Sequence, residues 1–305
     1  MTLSQLRTFL VVAELGSVRA AGERLVVSQP AVSAAVTALG RELGVELVER
    51  NGRGLRVTPA GESFAAAVRS SLQHLDRGVR VARSVDEPGR GAVRIAAIAT
   101  AAERLLLPLL AGFREQQPEA GVTVRVGNRA MVWDALRGLD ADLVVAGRPP
   151  ASAAAEVLGR TSNSLVVVGL PPALRSRRDV LRHLGSSTWL LREEGSGTRD
   201  ATDGLLADLG LDPPRMTLGS NGAVEAAVVA GFGVALLPLG GVGPRLASGV
   251  LDRIDCPGTP LDRPWHLVAS GEVDLSPTAA LAARCLLEAP DGFTPTGEGR
   301  RLLGR

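Results

Sequence analysis

Along the first 60 positions the apolar residues recur at helical spacing and then change period. In "SQLRTFLVVAELG", Leu6, Phe9, Leu10 and Ala13 share one face, and Gly16 stands where a helix C-cap belongs. Ser17 is placed to cap a second helix, "VRAAGERL". After the break "VVS", Ser28 caps a third, "QPAVSAAVTALGRELG", with Pro30 in its first turn, where a missing N–H costs nothing. Ala31, Val32, Ala35, Val36, Leu39 and Leu43 give this helix an apolar face, and Gln29, Ser33, Ala34 and Thr37 lie on the other. Gly40 interrupts it at a cost of about 1 kcal/mol against Ala. Two short helices joined by a tight turn predict a helix-turn-helix. The β-like pieces "ELVER" and "LRVT" around "NGRG" predict a hairpin, and the whole segment a winged helix.

From Pro59 to about Val85 the pattern becomes a seam. Phe64, Val68, Leu72, Leu75 and Val79 step by three and four, which predicts a long helix pairing with a copy of itself through those five residues. "DEPGRGA" breaks the pattern as a linker. Beyond it, short apolar runs ("VRIAAI", "VTVRV", "DLVVAG", "LVVVG", "TWLLR", "MTLGS", "GVALLP", "WHLVAS") alternate with helical stretches. Such runs read as buried parallel strands of an α/β fold. The end, "PDGFTPTGEGRRLLGR", reads as a frayed tail.

Composition narrows this picture. A chain of 305 residues suggests two or three domains. The net charge of +2 barely hints at nucleic acid, and every basic residue is Arg, so each Arg is weak evidence of a site. Cys256 and Cys285 lie in no metal-ligand spacing, which points to free thiols, and neither a metal nor a cofactor is implied. The N-terminus has no signal-peptide pattern, and no run reaches the roughly 18 apolar residues that span a bilayer. The expected location is the cytoplasm, with no membrane partner.

"REEGSGTR" (192–199) is the one Gly-rich loop with chemistry in it. It lacks the Lys of a phosphate-hydrolysing loop, and His74, His183 and His266 neighbour no nucleophile motif, so no enzyme is expected. A binding role fits better. Gly195 and Gly197 permit close approach, Ser196 and Thr198 supply hydroxyls, and a helix beginning near Thr198 or Arg199 points free N–H groups at an anion. A second helix start near Thr100 and Ala101 faces it, and Asn128 and Asn221 follow strand ends, where α/β sheets place ligands. The same residues also serve as ordinary caps. Arg192 and Arg199 pair by default with Glu193, Glu194 or Asp200.

The first 65 residues, with the core "AAGERLVVSQPAVS", the segment "LGVELVER" and the wing ending "TPAG", resemble the winged helix of LysR-type transcriptional regulators. "LLREEGSGTR" and "GSNGAVEAAVVAGFGVALLP" resemble later motifs of that family, and the "GSGTR" form resembles its branch of carbon-fixation and sulfur-metabolism regulators. The resemblance implies an α+β chain: a winged helix-turn-helix (1–59), a linker and dimerisation helix (60–86), a hinge (87–92), an α/β effector-binding domain like a periplasmic binding protein (93–290) and a tail (291–305). Within the effector domain, subdomain I covers about 93–162 and 265–290, and subdomain II about 163–264. Crossovers lie near Ser162–Ser164 and Arg263–Trp265, and ligand binds between the lobes.

The implied partners are double-stranded DNA bearing an imperfect inverted repeat, a small anionic or carboxylate effector, a second copy in a dimer or tetramer, and RNA polymerase. DNA contacts fall on Ser17, Gln29, Pro30, Ser33, Thr37, Arg50 and Arg53. Where the family carries longer polar residues this chain has Ala34 and Ala35, and where it has a small hydroxyl before Thr100 this chain has Ile98, which makes one cavity wall apolar. The competing reading is a two-lobed α/β solute-binding or enzymatic protein with a helical appendage.

Overall fold

A computed structural model describes residues 1–52, 54–171 and 176–304, leaving aside the side chain of Arg83. The chain divides into two compact units, Met1–Val79 and Arg80–Arg305.

In the first unit, α1 (Leu3–Leu15), α2 (Val18–Leu25) and α3 (Gln29–Leu43) start at Thr2, Ser17 and Ser28, each accepting a backbone N–H through its side chain. Gly16 and Gly44 close α1 and α3 in the left-handed conformation. The hairpin β1 (Val48–Asn51) and β2 (Gly54–Val57) follows, and the N–H of Leu55 donates to Gly16 O at 2.9 Å, tying the wing to the end of α1. The core joins Leu6, Phe9 and Val12 to Val32, Val36, Leu39 and Leu47. Gly40 has a local reason: a Cβ there would stand 2.9 Å from the Val45 carbonyl oxygen, in the turn that ends α3.

The same core takes in Val68 and Leu72 of α4 (Pro59–Ser84), and the Phe64 ring lies 5.7 Å from that of Phe9. This corrects the five-residue dimer seam. Phe64, Val68 and Leu72 complete the chain's own core, and only Leu75 and Val79, each about half exposed, remain outside it. A step of three and four marks an apolar stripe without saying whether its own chain or a copy covers it.

The second unit holds two sheet lobes. Lobe I is a six-stranded sheet ordered β14-β6-β13-β5-β3-β4. Its strands are β3 (Ala92–Ile98), β4 (Gly121–Gly127), β5 (Leu143–Ala146), β6 (Ala155–Thr161), β13 (Trp265–Ser270) and β14 (Thr294–Pro295). One face packs on α6 (Leu107–Gln116) and α12 (Pro277–Glu288), the other on α7 (Arg129–Arg137). Along β3, Val93, Ile95 and Ala97 belong to the first core and Ala96 to the second, so both alternating sets are apolar.

Lobe II carries β7 (Ser164–Gly169) at its centre, with β10 (Ala235–Pro238), β11 (Asp252–Ile254) and β12 (Leu261–Asp262) paired to it. The parallel pair β8 (Trp189–Arg192) and β9 (Arg215–Leu218) joins this layer through the Trp189–Val234 bridge. Around it lie α8 (Arg177–Ser186), α9 (Gly197–Leu209), α10 (Asn221–Val229) and α11 (Leu239–Ala247).

Three expectations change. Strands β7 and β13 run antiparallel to their neighbours, because they carry the chain between lobes and not around a β–α–β turn. The expected hinge is fixed: Pro88–Arg90 forms a 3₁₀ turn whose Pro88 carbonyl accepts from the Thr278 hydroxyl at 2.8 Å. The expected tail forms β14 on β6 and then α13 (Gly297–Leu302), with the Thr296 hydroxyl bonded to the Val157 and Leu158 carbonyls. The two crossovers are bonded to each other: Arg263 N–H donates to Asn163 O at 2.8 Å, and Asn163 Nδ2 donates to Arg263 O at 2.9 Å.

Candidate functional sites

Burial of Val32, Val36 and Leu39 fixes which side of α3 is free, and it leaves Gln29, Pro30, Ser33 and Thr37 exposed. Ala34 sits among them and adds no hydrogen-bonding group. Arg50 is exposed on β1 opposite Leu55, while Arg53 lies outside the described residues. Ser17 accepts from Ala20 N–H at 3.2 Å, so its hydroxyl serves the start of α2. The turn before α3 contains an oddity: Val26, 90% exposed, has φ +56°.

In the second unit a cavity of about 670 Å³ opens between the strand ends of the two lobes. Thr100, Asn128, Ser196, Gly197, Thr198 and Asn221 all line it, and Ile98 forms an apolar part of the wall. Ala101 does not: it is fully buried in the lobe I core, and Ala99 takes its place at the wall. In "REEGSGTR", β8 ends at Arg192, Gly195 turns the chain at φ +81°, and α9 starts at Gly197 with Ser196 as its cap residue. The Ser196 side chain makes no capping bond, nor does Ile98 before the helix at Ala99–Ala101, so both helix starts keep unsatisfied N–H groups.

Asn128 divides its roles. Its Oδ1 accepts from Met131 N–H at 3.0 Å as a cap, while its amide nitrogen lies beside Gly195. Asn221 opens α10 after the Ser220 cap, and its Oδ1 is buried with no hydrogen-bond partner among the described residues.

The cavity carries a charge that the chain's composition does not announce. Arg129, Arg148, Arg160, Arg192 and Arg263 line it against one acid, Asp262. Arg192 is neutralised by two bonds of 2.7 Å to Glu193, which hold that carboxyl below its ordinary pKa. Arg199 pairs with Asp203 at 2.6 Å, one turn along α9, and not with Asp200. Arg148, Arg160 and Arg263 make no side-chain hydrogen bond or ion pair with a described residue and remain available. Arg148 follows the end of β5, a position from which it was readable. Arg160 lies on β6, whose "AEVLGRT" shows neither alternation nor an apolar run, so the strand itself went unread.

His266 stands across from Arg160 on β13. Burial pushes its pKa below the ordinary value, and the charges of Arg160 and Arg148 push the same way. The Pro264 carbonyl opposes this without bonding to the buried Nδ1, which has no partner. Cys256 and Cys285 are free, and burial raises the Cys256 thiol to about 11, far from a reactive thiolate. No cluster of described residues has the makings of a metal site, and no described helix is long and apolar enough to cross a membrane.

Two family models match the chain: the bacterial regulatory helix-turn-helix protein of the lysR family over residues 3–62, and the LysR substrate binding domain over residues 86–291. The chain belongs to the LysR family. It is a LysR-type transcriptional regulator with an effector-binding domain. It is 34% identical over 285 residues to the RuBisCO operon transcriptional regulator of Allochromatium vinosum, covering 92% of this chain and 93% of that protein. Carbon-fixation regulators are thus among its relatives, the branch that the "GSGTR" loop resembles. The crystal structure of full-length CbnR complexed with its target DNA shares the fold, with TM-score 0.67 and 24% identity over 93% of this regulator and 98% of CbnR. The Synechocystis PCC6803 CcmR regulatory domain in complex with 2-PG superposes with TM-score 0.55 and 26% identity, over 61% of this chain and 90% of that one.

Proposed function

We propose that this regulator senses a small organic acid anion in the lobe I–lobe II cavity and reads an inverted-repeat operator with α3 and the wing. The observation that carries the ligand class is the cavity's charge: five arginines, three of them (Arg148, Arg160 and Arg263) without a side-chain partner among the described residues, and two open helix starts against a single acid. An anion there satisfies N–H groups and guanidinium donors that otherwise have no protein partner. The 2-PG held by the related CcmR domain is such an anion. Thr100, Ser196, Thr198 and the Asn128 amide serve as neutral donors, and Ile98 limits how much of the ligand is charged.

Residues 1–59 read DNA, 60–86 pair copies through Leu75 and Val79, and 93–290 sense. The regulator works in the cytoplasm, and the curated relatives it matches are transcriptional regulators.

Thermal melting of the full chain with 2-PG, matched phosphorylated and unphosphorylated carboxylates, and neutral analogues tests the reading. Anions raise Tm by mass action and neutral analogues do not. An equal response to charged and neutral compounds, or none at millimolar 2-PG, sinks it.

A further inference from the structure

Arg104 of lobe I hydrogen-bonds across to lobe II. Arg104 Nη1 donates to Gly240 O at 2.8 Å, and its Nη2 to Gly241 O at 3.0 Å. The residues are 136 and 137 positions apart in sequence. We propose that this contact is a latch holding the effector cleft closed, and that Arg104 is a positioning residue for the sensor.

Local sequence prepares both halves. On lobe II, Pro244 lies inside α11 and has no N–H. The carbonyl four residues earlier, that of Gly240, therefore lacks its helical donor. That orphaned oxygen accepts from Arg104. On lobe I, Pro108 enters the second position of α6 and cannot donate to the carbonyl of Arg104. The helix there widens into a π turn over Ala102–Leu106, closed by Leu107 N–H to Ala102 O. Short π segments mark strained, often functional places in helices, and this one carries Arg104 at its middle. Pro244 thus leaves an acceptor without its helical donor, and the Arg104 guanidinium makes no other hydrogen bond with a described residue.

The latch sits beside the cavity. Thr100, one helical turn before Arg104, lines it from lobe I, and Pro238, two residues before Gly240, lines it from lobe II. The forked guanidinium reaches two successive carbonyls at once, which the point charge of a lysine cannot do. A state with both bonds made has the two cavity walls in register. A state without them leaves Gly240 O to water and the walls free to part. Closure thus has an energetic bias of its own before any ligand arrives, and a ligand that binds the closed form meets a population already shifted toward it.

Hydrogen–deuterium exchange of the full chain without ligand tests the latch independently of the effector. Arg104→Ala is expected to speed exchange about three- to tenfold in the amides at 99–102 and 196–199, where the open state exposes them. Arg104→Lys falls in between. Pro244→Ala is the control. It adds a helical N–H to Gly240 O, which accepts two bonds, so the latch persists and exchange at the same amides holds while the melting temperature holds or climbs. A merely structural Arg104 predicts a lower Tm for Arg104→Ala with no change in exchange across the cleft, and that result overturns the proposal. Should Arg104→Ala fail to fold, Arg104→Lys decides it by the same readout.

Discussion

His266 is one residue whose chemistry only the structure exposes. In the sequence it is a lone histidine in an apolar run. In the fold it faces Arg160 and lies near Arg148, and burial with those charges keeps its pKa below the ordinary value of about 6.5. The sign follows. Between that value and its lower folded pKa, the unfolded chain binds more protons, so stability falls as pH drops below about 6.5. An anion seated against Arg148 and Arg160 offsets their repulsion and raises the His266 pKa. Binding therefore takes up a proton, and anion affinity rises on acidification through the range in which folded His266 titrates, which burial and the two arginines hold below the ordinary value. Calorimetric titration with 2-PG at pH 6 in two buffers of different ionisation enthalpy should show more proton uptake for the parent than for His266→Asn, the ligand's own phosphate titration being common to both. An equal buffer dependence in the two proteins refutes the linkage.

Val26 makes a plainer case. A β-branched residue at φ +56° is strained, and at 90% exposure it has little packing to offset the cost. Val26→Gly or Val26→Asn should stabilise the first unit by about 1 kcal/mol in denaturant titration, relieving left-handed strain. A loss of stability for both would show that the conformation costs nothing here.

At the scale of elements, how much could be read depended on whether a pattern answers to its own neighbours. Helices α1 to α3 were readable because caps and period both lie within a dozen residues, and the cavity walls from Thr100, Asn128 and Ser196–Thr198 because strand ends place them. Strand direction was not, since β7 and β13 look like any buried strand until the crossovers are seen. The α4 stripe is continuous in the sequence, yet in the fold it divides between residues 72 and 75. Two outcomes separate its halves. Leu72→Ala should cost about 2–4 kcal/mol of unfolding free energy through the cavity it leaves. The double change Leu75→Glu and Val79→Glu leaves no core cavity, because both positions are exposed in the single chain, so any loss of stability should be confined to the lost pairing and depend on protein concentration. The double change should also lower the mass found by light scattering at micromolar protein. A double variant that keeps the parent's mass removes Leu75 and Val79 from the interface.

For the molecule as a whole, sensing means that anion and operator each bias one equilibrium. If the anion changes operator affinity by some factor, the operator must change anion affinity by the same factor. A net charge of +2 supplies little attraction for DNA, so operator binding must rest on where cations stand, such as Arg50 on the wing, and on the neutral readers Gln29, Ser33 and Thr37. Ser33→Ala should therefore weaken the operator more than random DNA, by about tenfold for the loss of one good base contact. Arg50→Ala should weaken both alike and flatten the salt dependence by about one ion. Neither change touches the cavity, so both should leave the anion's affinity for the free regulator intact. The reciprocal factor is then measured twice, from operator titrations with and without saturating 2-PG and from 2-PG titrations with and without operator. Agreement within error in the parent and in Ser33→Ala is the expected result. A factor of one on both sides means that 2-PG and operator binding are uncoupled, which refutes sensing of this anion.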